Sequence, residues 1–304
     1  MIHYPNGVWP VMLTPYRMDG AVDHEGLTAL THWSLANGAA GLFAACQPSE
    51  IFRLSPQERA ALVATTVKAA DGRAPVVASG HVSPRVQDTL EEVRRMADAG
   101  ADIFILISNR LAGENETDDM LLDRLDEIMG RSRMNLGLYE CPYPYKRLLT
   151  ERVLRACAES GRFYFLKDTC CDATLIAQHI QWLKGSPMKL FNTNTTTLLQ
   201  GAAGFSGVMA NFHPRFYARL CCHPEHPGAD KIQECLSLAS LAARNAYPVC
   251  AKYYLREWEA LPIESISRVA SEKHLTGEDR EMLQQMARMC ADTWNTCVDE
   301  GGRP

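Results

Sequence analysis

No stretch of this 304-residue chain approaches the roughly 18–20 consecutive apolar positions that a membrane-spanning helix needs. A basic surplus is also missing. The formal net charge is −5, which argues against a nucleic-acid-binding surface. The opening MIHYPNGVWPVML has neither a basic leader nor a small-residue cleavage site, so no secretory signal is expected and a cytoplasmic protein is. The C-x-x-C pattern is absent. The 11 cysteines are odd in number and include the adjacent pairs Cys170–Cys171 and Cys221–Cys222, which suit neither a disulfide framework nor a zinc site. Free thiols in a reducing compartment are the expectation. No G-x-G-x-x-G follows the first strand-like run, which counts against a doubly wound, dinucleotide-binding sheet.

What is present is an alternation. Short apolar or β-branched runs at 8–14, 40–46, 75–79, 102–107, 135–139, 163–167, 188–192 and 205–210 are each followed by a segment of helical periodicity. The helical segments fall at about 24–38, 55–72, 84–99, 117–130, 149–160, 172–183, 195–202 and 214–222. Ser55, Pro56 and Glu58 form a capping box with proline at the first helical position. Wholly apolar strands between amphipathic helices indicate a parallel sheet covered on its outer face. Eight such units predict an α/β fold, a (β/α)8 TIM barrel over residues 1–225. Residues 226–304 read as a C-terminal helical region, with amphipathic helices at 230–246 and 278–297 and a frayed EGGRP tail.

In such barrels the chemistry sits at the C-terminal ends of the strands. Standing there are Cys46–Glu50, Ser79–His81, Ser108–Arg110, Tyr139–Pro142, Lys167–Asp168, Asn192 and Ala210–Pro214. Lys167 ends the apolar run FYFLK, where burial of an ammonium group is costly. Apolar walls favour its neutral amine, which is able to attack a carbonyl and form a Schiff base. Pairing with Asp168 or snorkelling to solvent would also account for its position. Tyr139 ends the neighbouring strand, and a phenol there is placed to pass protons. It is equally compatible with a tyrosine of the barrel core.

The order of these motifs resembles the dihydrodipicolinate synthase / N-acetylneuraminate lyase family of class I aldolases. The segments that carry the resemblance are VMLTPYRMDGAVD, SEIFRLSPQER, GLYECP, FLKDT and GAAGFSGVMAN. The resemblance implies a Schiff-base lysine at Lys167, a proton-relay tyrosine at Tyr139, no metal or organic cofactor, and a homotetramer built from dimers. It implies a lyase acting on a 2-oxo acid, with an aldehyde as the second small-molecule partner. Retro-aldol cleavage or condensation of a 2-keto-3-deoxy sugar acid with pyruvate is the leading expectation. Dehydration of a deoxy-keto sugar acid by the same lysine is the alternative, and a non-catalytic relative is a third reading.

The departures bear on the substrate. Where the family usually has Gly-Thr-Thr-Gly-Glu, this chain has Cys46, Gln47, Pro48, Ser49 and Glu50. Family members hold the carboxylate of pyruvate there with two successive backbone N–H groups, and a threonine hydroxyl joins the relay. Proline has neither group, so Pro48 removes one anion donor and one relay group, and Gln47 or Ser49 would have to compensate. Pro144 stands where the synthase proper has an arginine, and ISNRLAG lacks its inter-subunit tyrosine, so a lysine-biosynthetic synthase is not expected. Glu140 replaces a common asparagine and is expected either to bind substrate donors or to pair with Arg110 or Lys146. Ser206 and Gly207 fall where the family places backbone near the Schiff base. His81, His213, Cys46 and Glu50 also stand at strand ends, but without metal-ligand spacing.

Overall fold

A computed structural model describes residues 4–242 and 246–297. Eight strands run parallel in one sheet: β1 (Gly7–Val8), β2 (Leu42–Ala45), β3 (Val76–Ala78), β4 (Ile103–Ile107), β5 (Asn135–Tyr139), β6 (Phe163–Asp168), β7 (Lys189–Asn192) and β8 (Gly204–Phe205). The order β1-β8-β7-β6-β5-β4-β3-β2 follows the chain around a ring. Parallel bridges Val8↔Ala39 and Val11↔Phe43 join β1 to β2, with Phe43 N–H donating to the Pro10 carbonyl at 2.9 Å. The chain is a (β/α)8 barrel with a C-terminal helical part.

Eight helices lie between or after the strands: α1 (His24–Ala36), α2 (Pro56–Ala70), α3 (Val86–Asp98), the single turn α4 (Ser108–Leu111), α5 (Asp118–Arg131), α6 (Glu151–Glu159), α7 (Ala173–Trp182) and α8 (Pro214–Cys222). The capping box at Ser55 is formed: Ser55 accepts from Glu58 N–H at 3.2 Å, and the Glu58 carboxylate accepts from Ser55 N–H at 2.8 Å. After the barrel come α9 (Ala229–Ala239), α10 (Val249–Trp258) and α11 (Gly277–Cys297).

Four expectations are corrected. The 8–14 run pairs as a strand only at Gly7–Val8, because Pro10 has no N–H for the ladder. The 205–210 run leaves the sheet after Phe205 and turns into a short 3-10 helix, Val208–Asn211. The 195–202 helix is a 3-10 helix, Thr195–Gln200. The 230–246 helix stops at Ala239, and positions 243–245 and the EGGRP tail lie outside the described residues. The helix α10 was not expected.

Aromatic rings fill the barrel. Phe165 and Phe191 stack at 4.2 Å between centroids, and Trp9 meets each edge-on at 5.3 Å. Gly41 makes room for this layer, since a Cβ there would come within 2.4 Å of the Trp9 ring. These inward side chains set the direction of the next ones. Side chains alternate along a strand, so Lys167, two residues after Phe165, also points inward.

Candidate active site

The floor just described is apolar, and Lys167 stands on it. Its side chain is 2% exposed. Its strand partner is Tyr139, in register across β5 and β6. The Lys167 Nζ lies 4.4 Å from the centre of the Tyr139 ring and 5.4 Å from that of Phe43. Burial lowers the Lys167 pKa below the usual lysine value, partly opposed by the thiols of Cys46 and Cys141. Burial also pushes the Tyr139 phenol well above its ordinary range, so it is a neutral O–H that holds its proton.

Asp168 does not pair with Lys167. It follows Lys167 on β6, faces the helix layer, and meets His179 Nδ1 of α7 at 2.6 Å. Glu140 faces the same outer layer, one residue after the inward Tyr139. It is fully buried, and its carboxylate accepts from the backbone N–H groups of Leu149 at 2.9 Å and Thr169 at 3.0 Å. Burial and the nearby Asp168 raise its pKa to about 7. It does not line the mouth or pair with a base. Lys146 instead donates to the Thr169 carbonyl at 2.6 Å, and Arg110 lies 5.1 Å above the Phe52 ring. Glu140 is thus a brace between β5, β6 and the loop before α6.

The loop after β2 is a 3-10 turn, Gln47–Ser49, with Pro48 in its first positions. Ser49 is wholly buried and spent on this loop. Its hydroxyl donates to the Met12 carbonyl at 2.5 Å and accepts from Cys46 N–H at 3.2 Å. The N–H groups of Ser49 and Glu50 donate to the carbonyls of Cys46 and Gln47, each at 3.0 Å. Pro48 has no N–H. Among residues 46–50 this leaves the Gln47 N–H with no partner among the described residues. Glu50 closes the turn at φ 64, a left-handed conformation unusual for a side chain with a Cβ.

Ser206 follows Phe205, whose ring stacks outward on Tyr217 of α8 at 3.9 Å, so Ser206 faces the barrel axis. Its hydroxyl is buried and has no hydrogen-bond partner among the described residues. The structure therefore brings Lys167, Tyr139, Phe43, Cys46, Cys141 and Ser206 to one end of the barrel. A cavity of about 420 Å³ is walled by the loop that follows Cys46, with Gln47, Pro48, Glu50, Phe52, Tyr143 and Tyr247 among its lining residues.

The four strand-end groups weighed as metal ligands do not converge among the described residues. His81 Nδ1 accepts from Ile107 N–H at 2.9 Å, and His213 Nε2 sits 3.4 Å from the Cys290 thiol. The ligand atoms of Asp168, Cys170 and His179 do lie within 4.8 Å of one another, on the outer side of β6, where Asp168 and His179 are already joined.

Sequence reasoning missed the C-terminal contribution. Lys252 of α10 is fully buried, donates to the Ile266 carbonyl at 2.6 Å, and approaches the Glu50 carboxylate at 3.6 Å. Arg268 N–H donates to the same carboxylate at 3.1 Å. The signal was available: VCAKYYL, like FYFLK, sets a lysine inside an apolar run.

The structure thus sets a buried lysine beside a phenol at one end of a (β/α)8 barrel. Comparison with known proteins supplies the family. The model of the dihydrodipicolinate synthetase family matches residues 4–263, and the chain belongs to that family. The 4-hydroxy-tetrahydrodipicolinate synthase of Acidithiobacillus ferrooxidans is 28% identical over 221 residues, covering 71% of this chain and 74% of that protein. The sialic acid aldolase of Ruminococcus gnavus superposes with a TM-score of 0.84 at 19% identity, covering 97% of this chain and 100% of the other. The dihydrodipicolinate synthase of Acinetobacter baumannii, solved with pyruvate, gives 0.83 at 21% identity, covering 94% and 99%. No helix among the described residues is long and apolar enough to cross a membrane.

Proposed function

We propose that this protein is a Schiff-base lyase that acts on a 2-oxo acid through Lys167. One observation carries the reading: Lys167 is buried on an aromatic floor, beside a neutral phenol, with its neighbouring carboxylate engaged elsewhere. The neutral amine attacks the carbonyl carbon of the 2-oxo acid. The nitrogen passes one of its protons to the former carbonyl oxygen and the Tyr139 O–H supplies the second. Water leaves, and a protonated iminium forms beside the phenolate, whose charge it offsets and which is the base for the next proton transfer. The iminium is a fixed cation in a dry site, and the faces of the Tyr139 and Phe43 rings partly offset its lost hydration. It withdraws electrons from the adjacent carbon, so a carbon–carbon bond one atom further on breaks to an enamine and an aldehyde, or forms in reverse.

The leading reaction is cleavage or condensation of a 2-keto-3-deoxy sugar acid with pyruvate, and names among the relatives, aldolase and synthase, support carbon–carbon chemistry. Gln47, Pro48 and Ser206 are the substrate-facing groups in this reading, while Ser49 and Glu140 serve by holding the loops around them. No metal or organic cofactor is required by this chemistry. The reading carries assembly into a homotetramer, a dimer of dimers; a light-scattering mass equal to that of one chain would remove that part.

The test is trapping. Borohydride reduces an iminium to a stable secondary amine. Incubation with pyruvate and borohydride is expected to add one pyruvate-derived group to the intact protein, with Lys167→Ala giving none. An unmodified natural chain across pyruvate, other 2-oxo acids and simple aldehydes would sink the proposal.

A further inference from the structure

The 46–50 loop leaves a deficit. Three of its four N–H groups are used inside the turn or on the Ser49 hydroxyl, and Pro48 has none. One N–H, that of Gln47, remains for an anion. A carboxylate has two oxygens with about four acceptor positions, and one neutral donor is a weak grip on it.

A second donor belongs to the same cavity. Tyr247 lines the same cavity as Gln47 and Pro48, although it comes from the segment before α10. Its oxygen lies 2.9 Å from Asn211 Nδ2, which is also 2.8 Å from the Val11 carbonyl. The Val11 carbonyl accepts only, so it fixes which end of the Asn211 amide is the NH2 group. The Tyr247 oxygen therefore accepts from Asn211. Its own O–H donates to no partner among the described residues. Burial raises the phenol well above its usual range, so the proton stays on; Cys46, Cys250 and Glu50 are among the groups it feels, and it in turn raises the pKa of the Tyr139 phenol.

We infer that Tyr247 is a substrate-binding residue whose O–H, with the Gln47 N–H, holds the carboxylate of the 2-oxo acid. The inference rests on the Schiff-base reading for its substrate class. It adds a residue from outside the barrel, and it explains how a loop with proline at position 48 keeps a carboxylate-bearing substrate.

The experiment compares Tyr247→Phe with the natural chain using two probes, pyruvate and acetone, which has the carbonyl but no carboxylate. Half-saturation is read by borohydride trapping. Pyruvate binding is also read by calorimetry in Lys167→Ala, with and without Tyr247→Phe, where no covalent bond forms. The expected result is an increase of about tenfold or more in the pyruvate concentration needed, in both readouts, with acetone trapping unchanged. Phenylalanine leaves one Asn211 N–H without an acceptor, and the acetone arm detects any general distortion this causes. Equal losses for both probes, or no loss for pyruvate, would overturn the inference. If the natural chain traps nothing yet Lys167→Ala binds pyruvate in a Tyr247-dependent way, the Schiff-base reading falls and Tyr247 stands. Pyruvate binding in neither readout overturns both.

Discussion

Lys167 and Glu140 are ionisable groups one strand apart, and the pleat sends them to opposite sides of the same wall. The identity of each was legible in the sequence, and for Lys167 so was the direction, because FYFLK alternates over a filled barrel. Glu140 was harder. It follows an inward tyrosine in a loop-like YECP stretch, and nothing in composition says that two backbone N–H groups from distant segments will meet its carboxylate. Its raised pKa has a thermodynamic consequence. The folded-state value of about 7 lies above the ordinary 4.5. Between these values the folded chain binds more protons than the unfolded one, so this group's contribution to stability falls as pH rises through that window. The full difference is on the order of 3 kcal/mol. Glu140→Gln does not titrate. Its melting temperature relative to the natural chain is therefore expected to move upward from pH 5 to pH 8 in thermal denaturation, and a pH-independent difference would refute the assignment.

At the scale of elements, six of the eight strands and the first six long helices were readable from period and caps. The failures share a cause: the pattern was right but the hydrogen bonds went elsewhere. Pro10 interrupts β1, and the chain after Phe205 coils into a 3-10 turn instead of continuing β8. The seam between these two short strands consequently depends on very close backbone approach. Gly204 pairs with Gly7, and a Cβ at Gly204 would lie 1.8 Å from the Gly7 carbonyl oxygen. No flexible side chain is available to yield there. Gly204→Ala is expected to destabilise the protein by about 3 kcal/mol or more in denaturant unfolding, comparable with other severe overpacking. A change below 1 kcal/mol would show that the seam yields easily.

Over the whole molecule, the helices beyond the barrel do more than cover apolar surface. Lys252 and Arg268 bring polar groups to Glu50 in the loop after β2, and Tyr247 lines a cavity with that loop. This was invisible in the sequence because the partners are some 200 positions apart, and amphipathic periodicity reports only which face is apolar. Lys252→Met leaves the Glu50 carboxylate without its ammonium partner and is expected to cost about 3 kcal/mol, with Lys252→Met/Glu50→Gln recovering part of it. Additive losses in the double variant, measured by the same unfolding curves, would show that the two groups are not coupled. The arrangement also bears on the order of events during translation. A nascent chain emerges from its N-terminus, and the eight strands are complete once Phe205 has been made. The ribosome must still add Tyr247, which lines the cavity beside the loop after β2, and Lys252 and Arg268, which meet Glu50 of that loop, so a barrel stalled short of those residues would hold Lys167 beside an unbraced loop.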